Sequence, residues 1–271
     1  MTDERPATVQ LDLTGRTAVV TGSTQGIGLA IARRLAEAGA DVVVNGRRAE
    51  TVSAAVAGLG ESFGDRVRGV AADVTTAGGA DRLVGEVGRI DILVNNLGIF
   101  GATPALEISD EEWTRYFDTN VISAARLTRL VLPAMIDEGW GRVINIASDS
   151  AVVIPEEMIH YGATKTALLA LSRGYAKAAS GTGVTVNAVI AGPTHTEGVE
   201  DFVYELVDRS LEWEDAQREF MRTARPQSLI ERLLEPSEIA NMVVYLASPL
   251  ASGTTGGALR VDGGYVDSIL P

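Results

Sequence analysis

Three side chains between residues 148 and 165 are spaced so that they could transfer a proton. Ser148 follows a short apolar run at 143–147, and Tyr161 precedes Lys165 by four positions. In a helix such a pair lies on one face. Because a nearby ammonium group favours the phenolate, we expect Lys165 to lower the pKa of Tyr161 below its usual value of about 10. The alternative is a chance pairing on a solvated helix, and the other motifs of the chain are needed to distinguish the two.

A glycine-rich turn lies near the N-terminus, between a predicted buried strand at 17–21 and a predicted helix at 29–38. Glycines in such a turn let the backbone approach a pyrophosphate, and the helix N-terminus offers free N–H groups to it. The turn therefore predicts a dinucleotide site, with a tight turn that binds no ligand as the alternative. The residues expected to contact the cofactor here are Gly22, Ser23, Thr24, Gln25, Gly26, Ile27 and Gly28.

Two arginines follow the next predicted strand, at 41–45. An acidic residue here would accept hydrogen bonds from the adenine ribose of NAD(H), whereas this chain has Gly46, Arg47 and Arg48. Guanidinium groups match the geometry of a phosphate, so NADP(H) is the favoured cofactor. NAD(H) remains possible, because Gln25 is not basic and the arginines could belong to a solvated turn.

Polar residues and glycines also follow other predicted strands. Asp73 would accept a bond from the adenine amino group or cap the next helix. Because ligands of parallel sheets bind at the carboxyl ends of the strands, we expect further cofactor contacts from Asp73, Val74, Asn96, Gly98, Gly192, Pro193, Thr194 and Thr196.

A long helix is predicted at 110–136, with Asn120 near its middle among aliphatic residues. A buried asparagine needs hydrogen-bond partners. A purely structural bond to a neighbouring strand would satisfy that need, so the position alone does not establish a role in catalysis.

Strands and helices alternate along the chain, which indicates an α/β fold with a parallel sheet and helices on both faces. Residues 13–271 are expected to form one domain after a flexible arm at 1–12. The segment 197–232 is acidic and aromatic with a helical tendency. We expect it to be a lid over the substrate, with a partner interface as the alternative.

The composition argues against several classes of function. The chain is 46% hydrophobic, which is enough for a large aliphatic core. It has no cysteine and its two histidines lie far apart, so no metal site is expected. A formal net charge of −13 disfavours nucleic-acid binding. No apolar run approaches the roughly 20 residues of a membrane span, and no targeting signal opens the chain. We therefore expect a cytoplasmic protein without membrane attachment.

The motifs TGSTQGIG, NNLG, YGATK, AGPTHT and VDGG resemble those of the short-chain dehydrogenase/reductase family, in order and spacing, over nearly the whole chain. The resemblance implies a three-layer αβα Rossmann-type fold with a seven-stranded, mostly parallel sheet in the order 3-2-1-4-5-6-7. It also implies a homotetramer, with a dimer as the alternative.

The resemblance further implies a role for each candidate catalytic residue. Tyr161 would exchange a proton with the substrate oxygen, while Lys165 would lower the pKa of Tyr161 and hold the nicotinamide ribose. Ser148 would polarise the carbonyl group, and Asn120 would hold a water in a proton relay to solvent. Because all four positions are filled, we expect an enzyme acting on a ketone or secondary alcohol rather than a catalytically silent dinucleotide sensor.

The substrate is expected to be a free, small or medium-sized, largely apolar molecule. Relatives that reduce 3-oxoacyl groups on acyl carrier protein have basic residues where this chain has Asp137 and Glu138. An acidic protein would also repel the acidic carrier. A carrier-bound substrate therefore remains only the alternative. The expected substrate contacts are Asp149, Met158 and Trp213.

Overall fold

The structure is a computed structural model that describes residues 11–269. Most of the predicted arm at 1–12 lies outside the described residues. At the described end, Asp12 Oδ1 accepts a hydrogen bond from the backbone N–H of Thr14 (2.9 Å). Within the described range, no helix combines the length and apolar character needed to cross a membrane.

Seven strands form one sheet at the centre of the fold: β1 (Thr17–Val20), β2 (Asp41–Gly46), β3 (Val67–Ala71), β4 (Ile92–Asn95), β5 (Gly141–Ser148), β6 (Val184–Ala191) and β7 (Ala258–Val261). Their order is β3-β2-β1-β4-β5-β6-β7, which confirms the prediction, and every pairing is parallel. Residues of β5 and β6 are buried at every position, as expected for strands that are covered on both faces.

Helices cover both faces of the sheet, which confirms the three-layer architecture. Those in the described residues are α1 (Gly26–Glu37), α2 (Ala49–Phe63), α3 (Ala77–Val87), α4 (Asp110–Phe117), α5 (Ser123–Asp137), α6 (Ile159–Ala178), α7 (Glu197–Leu206), α8 (Trp213–Ala224) and α9 (Pro236–Ala247). On one face α1, α2 and α9 bury side chains such as Ile31, Leu59 and Val243. On the other, α3 and α5 bury Leu83 and Leu127 together with residues of α6.

The predicted continuous helix at 110–136 is interrupted. A π-helical turn, Asp118–Ile122, separates α4 from α5 and carries Asn120. The Ser123 hydroxyl donates a hydrogen bond to the Thr119 carbonyl (2.5 Å) across the end of this turn. Such turns inside α-helices are frequent at functional sites. The turn is therefore a reason to expect a functional site around Asn120.

The two helices α7 and α8 pack against each other around a small apolar cluster that includes Val203, Phe220 and Leu233. The predicted helical tendency of 197–232 is confirmed for these helices but ends at Ala224. The next residue, Arg225, precedes a proline, and the proline ring disfavours helical geometry at the residue before it. Arg225 accordingly has φ −135° and ψ 48°.

Candidate active site

Two buried amides join the elements that carry the site. Asn95 Nδ2 donates to Asn145 Oδ1 (2.8 Å), and Asn145 Nδ2 donates to Ser172 Oγ (2.8 Å). These bonds tie β4 to β5 and β5 to α6. Ser148 is the last residue of β5, where it pairs with Ala191 of β6 and is buried. The sheet therefore holds Ser148 at its carboxyl edge, and α6 has a fixed position beside it.

Tyr161 and Lys165 lie on α6 and face the same cavity as Ser148, as the spacing predicts. Tyr161 is in the first turn of the helix. Lys165 Nζ lies 5.5 Å from the centre of the Tyr161 ring and donates a hydrogen bond to the backbone oxygen of Ile146 (2.8 Å). The backbone of β5 thus holds the lysine side chain next to the phenol.

The pKa values of this pair do not follow the sequence-based expectation. Burial raises the pKa of Tyr161, the Ser148 hydroxyl opposes the rise, and Asp149 adds to it. Burial also lowers the pKa of Lys165 to about 8. The prediction that the pKa of Tyr161 falls below its usual value is therefore wrong in direction, because a buried site favours the neutral form of both groups.

The carboxyl group of Asp149 lies beside the candidate catalytic serine. Its Oδ1 accepts hydrogen bonds from Ser148 Oγ (2.8 Å) and from the backbone N–H of Ser150 (2.7 Å). Burial raises the pKa of Asp149, while the bond from Ser148 and the charge of Arg225 act in the opposite direction. Asp149 lines the cavity, as predicted for a substrate contact.

Asn120 is held entirely by protein groups. Its Oδ1 accepts from the backbone N–H of Ile99 (2.8 Å), and its Nδ2 donates to Ile99 O (3.0 Å) and Thr164 Oγ1 (3.0 Å). A Cβ atom on Gly98 would lie 3.4 Å from both Asn120 Oδ1 and Lys165 Nζ. Asn120 therefore joins the π-helical turn to α6 close to Lys165, and its place in a water relay stays a prediction.

The cavity in front of these residues has a volume of about 220 Å³ and a largely apolar wall. Met158 lines it, as predicted, together with Phe100, Val199, Phe202 and Phe220. The predicted contact Trp213 does not line it. Instead, Trp213 stacks on His195, with ring centroids 5.1 Å apart, because α8 turns this side chain toward the loop that follows β6.

The glycine turn between β1 and α1 leaves no room for side chains. A Cβ atom on Gly28 would lie 2.4 Å from Gly22 O and 2.5 Å from Asn96 Nδ2. Gly22 has φ 61°, a conformation that favours glycine. No side chain in the described part of the chain caps the N-terminus of α1, so its first N–H groups are available to an anion. The turn fits the pyrophosphate of a dinucleotide, as predicted.

A second cavity lies beside this turn, at the carboxyl end of β2. Arg47 and Arg48 line it, and neither makes an ion pair with any described residue. The other predicted cofactor residues on its wall are Gly22, Thr24, Gln25 and Val74.

Two residues predicted to contact the cofactor, Ser23 and Asp73, use their side chains for hydrogen bonds within the protein instead. The Ser23 hydroxyl is buried, donates to Val20 O (2.6 Å) and accepts from Asn45 N (3.0 Å), so it braces the turn. Asp73 Oδ1 accepts from the backbone N–H and the hydroxyl of Thr75. Asp73 does not cap α3, because Thr76 is the N-cap residue.

The loop after β6 forms a further part of the cavity wall. Gly192, Pro193, Thr194 and Thr196 all line the cavity, as predicted. A Cβ atom on Gly192 would lie 2.6 Å from the Cα atom of Asp262, so the loop passes directly against the segment that follows β7. Thr194 is further held by its hydroxyl, which donates to Gly192 O (2.8 Å).

Phe100 and Arg225 are among the residues that line the cavity and that sequence reasoning did not name. The ring of Phe100 meets that of Tyr161 edge-on at 6.4 Å between centroids. Phe100 follows the NNLG motif by two positions, which could have drawn attention to it. Arg225 has no such signal, because it comes after the end of α8 in a segment without a repeating pattern.

Comparisons with known proteins agree with this geometry. A family model described as enoyl-(acyl carrier protein) reductase matches residues 22–266. The uncharacterised oxidoreductase YvaG of Bacillus subtilis is 48% identical over 96% of this chain and 100% of its own length. D-β-hydroxybutyrate dehydrogenase of Cupriavidus necator is 35% identical over 94% of this chain and 99% of its own.

Among solved structures, L-sorbose reductase from Gluconobacter frateurii in complex with NADPH and L-sorbose superposes with a TM-score of 0.91. It is 34% identical over 96% of this chain and 100% of that chain. Motifs, fold and relatives therefore agree. The chain belongs to the short-chain dehydrogenase/reductase family of oxidoreductases, which act on alcohol- or ketone-type substrates.

Proposed function

We propose that the protein transfers hydride between a nicotinamide dinucleotide and the carbon of a small ketone or secondary alcohol, with Tyr161 as the acid/base. The observation that carries this proposal is that Ser148, Tyr161 and Lys165 line one cavity, which the glycine turn reaches through Ile27. The similar L-sorbose reductase, which binds NADPH and a sugar, supports the same chemistry.

The cofactor is proposed to be NADP(H). The turn at Gly22 and Gly28 would hold its pyrophosphate, and Arg47 and Arg48 would hold its 2′-phosphate, since two guanidinium groups that have no ion-pair partner among the described residues suit that anion. When bound, the cofactor supplies or accepts the hydride. Recognition of NAD(H) is the alternative, and it would require neither arginine.

The proton is handled by the residues of α6 and β5. Tyr161 donates a proton to the substrate oxygen in reduction and takes it back in oxidation, and its raised pKa keeps the phenol protonated for the first role. Lys165, with a pKa of about 8, is largely charged near neutral pH and stabilises the phenolate as it forms. Ser148 orients the oxygen. We assign to Asn120 the positioning of α6 and the holding of a water that relays protons to solvent.

The substrate is proposed to be a free small molecule, over which α7 and α8 form a lid. A cavity of about 220 Å³ admits only a small substrate beside a nicotinamide ring, and α7 and α8 contribute Val199, Phe202 and Phe220 to its apolar wall. The name of the matching family model favours a carrier-bound acyl group as the alternative. Against it stand the acidic Asp137 and Glu138, both exposed at the end of α5, and the net charge of −13.

The test is the change in nicotinamide absorbance with purified protein, NADPH or NADH, and a panel of free ketones and carrier-bound 3-oxoacyl groups. We expect turnover of free ketones with NADPH that disappears in Tyr161→Phe. Replacing Arg47 and Arg48 by Gln should weaken NADPH binding by about 10-fold to 100-fold and NADH binding much less. Cofactor binding without turnover of any panel member would indicate a sensor, and faster turnover of carrier-bound groups would indicate the alternative enzyme.

The assembly is proposed to be a homotetramer. Exposed apolar side chains lie on several elements, including Ile122 in the π-helical turn, Ile154 before α6, Tyr245 on α9 and Leu250 just after α9. Light scattering on the purified protein should give four times the chain mass of 28.5 kDa. Twice that mass would indicate the dimer.

A further inference from the structure

Arg225 places a positive charge in the wall of the candidate active site. It follows the last residue of α8 and is half-buried. The carbon of its guanidinium lies 5.3 Å from the centre of the Phe220 ring and 5.6 Å from that of Tyr265. Two aromatic rings therefore hold the planar group in place. Its one hydrogen bond among the described residues joins Nη1 to the adjacent Ala224 O (2.7 Å).

Arg225 differs from neighbouring arginines in having no ion-pair partner among the described residues. In the same lid segment, Arg218 pairs with Asp215 and Arg222 pairs with Glu219. No described carboxylate forms an ion pair with Arg225, although acidic residues outnumber basic ones by 36 to 23 in the chain. An unpaired guanidinium in a partly desolvated cavity is unfavourable unless an anion joins it.

An acidic side chain of the cavity wall, that of Asp149, already accepts hydrogen bonds from its neighbours in the chain. Asp149 is buried and bonded to Ser148 and Ser150, and burial raises its pKa. Because Asp149 Oδ1 is bonded to its own chain neighbours and Asp149 forms no ion pair with Arg225 among the described residues, the positive charge of Arg225 remains open to a further anion. The cavity therefore has an acid/base end at Tyr161 and a cationic wall at Arg225.

We propose that Arg225 binds a carboxylate group of the substrate, so that the protein acts on oxo acids and the corresponding hydroxy acids. This inference rests on the proposed function and narrows its substrate class. A guanidinium and a carboxylate form two parallel hydrogen bonds. A phosphate fits less well, because the one other basic side chain among the described residues that line the cavity is Lys165, which donates to Ile146 O.

The competing explanation is that Arg225 only offsets the charge of Asp149 whenever that group ionises. In that case removing the arginine would affect charged and neutral ligands alike. Binding of an acid and of its own methyl ester separates the two explanations, because the pair differs in charge but not in the reacting ketone.

The experiment measures binding by calorimetry in the presence of NADP⁺, with which a ketone cannot be reduced. The ligands are unbranched oxo acids from 3-oxobutanoate to 6-oxoheptanoate, each beside its methyl ester. The proteins are the wild type, Arg225→Gln, Arg225→Lys and the control Arg222→Gln, which removes an exposed charge from the last turn of α8, just before Arg225. Thermal unfolding of each variant checks that it is folded.

We expect at least one acid to bind to the wild type about 10-fold to 100-fold more tightly than its ester. Arg225→Gln should abolish this preference, Arg225→Lys should keep part of it, and Arg222→Gln should keep all of it. The inference is overturned if no acid is preferred by the wild type, or if the preference survives in Arg225→Gln.

Turnover of the same panel with NADPH and NADH separates this inference from the proposed function. Reduction of the esters as fast as the acids would support the proposed reaction and overturn the role of Arg225. An Arg225-dependent preference for acids in binding, without reduction of any panel member, would support the carboxylate site and count against the proposed reaction.

Discussion

The hydroxyl of Ser148 donates its hydrogen bond to Asp149 Oδ1, 2.8 Å away in the next residue of the chain. To polarise a ketone, that hydroxyl has to donate to the substrate oxygen instead. An ionised Asp149 competes for the hydrogen more strongly than a neutral one does, because bonds to charged acceptors are the stronger ones. The protonation of Asp149 therefore bears directly on whether Ser148 is free to act.

We predict that Asp149→Asn changes the pH dependence of ketone reduction. Burial raises the pKa of Asp149, so in the wild type kcat/KM should fall as the pH rises through that raised value. The asparagine does not titrate, and the decline should be absent in the variant. Initial rates from about pH 5 to about pH 9 would show it. Superimposable profiles for the two proteins would contradict the prediction.

A second prediction concerns stability and Lys165. Its pKa falls from 10.5 to about 8 on folding because the side chain is buried, so the charged form destabilises the native state by about 3 kcal/mol below pH 8. As the pH rises from about 8 to about 10, the unfolded chain keeps a proton that the native state loses, and this cost disappears.

Replacing Lys165 by Met should accordingly abolish reduction without lowering the free energy of unfolding at about pH 7. Loss of the hydrogen bond to Ile146 O offsets part of the stability gained by removing the buried charge. Urea denaturation at about pH 7 and at about pH 10 measures the effect, and we expect the variant to lose its advantage at the higher pH. A variant that is several kcal/mol less stable than the wild type at both values would refute the destabilising charge.

Tyr161→Phe is predicted to lower kcat by about 100-fold to 10,000-fold, because it removes the proton donor. Affinity for NADPH should change little. The matched control is Tyr175→Phe on the same helix, whose hydroxyl donates to Ala125 O (3.0 Å) outside the cavity. This control should lose about 1 kcal/mol of stability and no activity. Equal rates for Tyr161→Phe and the wild type would exclude Tyr161 as the acid/base.

The glycine turn gives a fourth prediction. Gly28→Ala should destabilise the protein by about 1–3 kcal/mol, because the new Cβ atom would collide with Gly22 O. It should also weaken dinucleotide binding. Gly58→Ala is the control, since a Cβ atom there meets nothing within 4 Å. In the middle of α2 this substitution should stabilise by up to about 1 kcal/mol. Thermal unfolding with and without NADPH would distinguish the two.

The strands were predictable because their signals are local, whereas their order in the sheet was expected from the resemblance of the motifs to those of the family. Runs such as the three consecutive valines of β2 indicate a buried strand by themselves, and the glycine turn identifies β1. The interruption at Asn120 was not predictable in the same way. It goes with hydrogen bonds to Ile99 and Thr164, which lie 21 and 44 positions away in the chain.

The site shows the same division between local and distant effects. Residue types and spacing suffice to predict that Ser148, Tyr161 and Lys165 lie close together. The direction of the Tyr161 pKa shift depends on burial by the whole surrounding fold, which spacing does not report. Likewise, whether Trp213 or Arg225 faces the cavity depends on how α8 packs, and neither position is marked by a repeating pattern.

The π-helical turn at Asp118–Ile122 also decides which change of length this part of the chain can absorb. A π-helical turn holds about one residue more than an α-helical turn, because its hydrogen bonds join residues five rather than four positions apart. Losing one residue from the turn would therefore yield a regular helix and leave the rotation of α4 against α5 nearly unchanged. Tyr116 would keep its contact with His160, whose ring centroid is 4.0 Å away, whereas the bulge that presents Asn120 to Ile99 and Thr164 would be lost. A single-codon deletion here would therefore damage the site more than the fold.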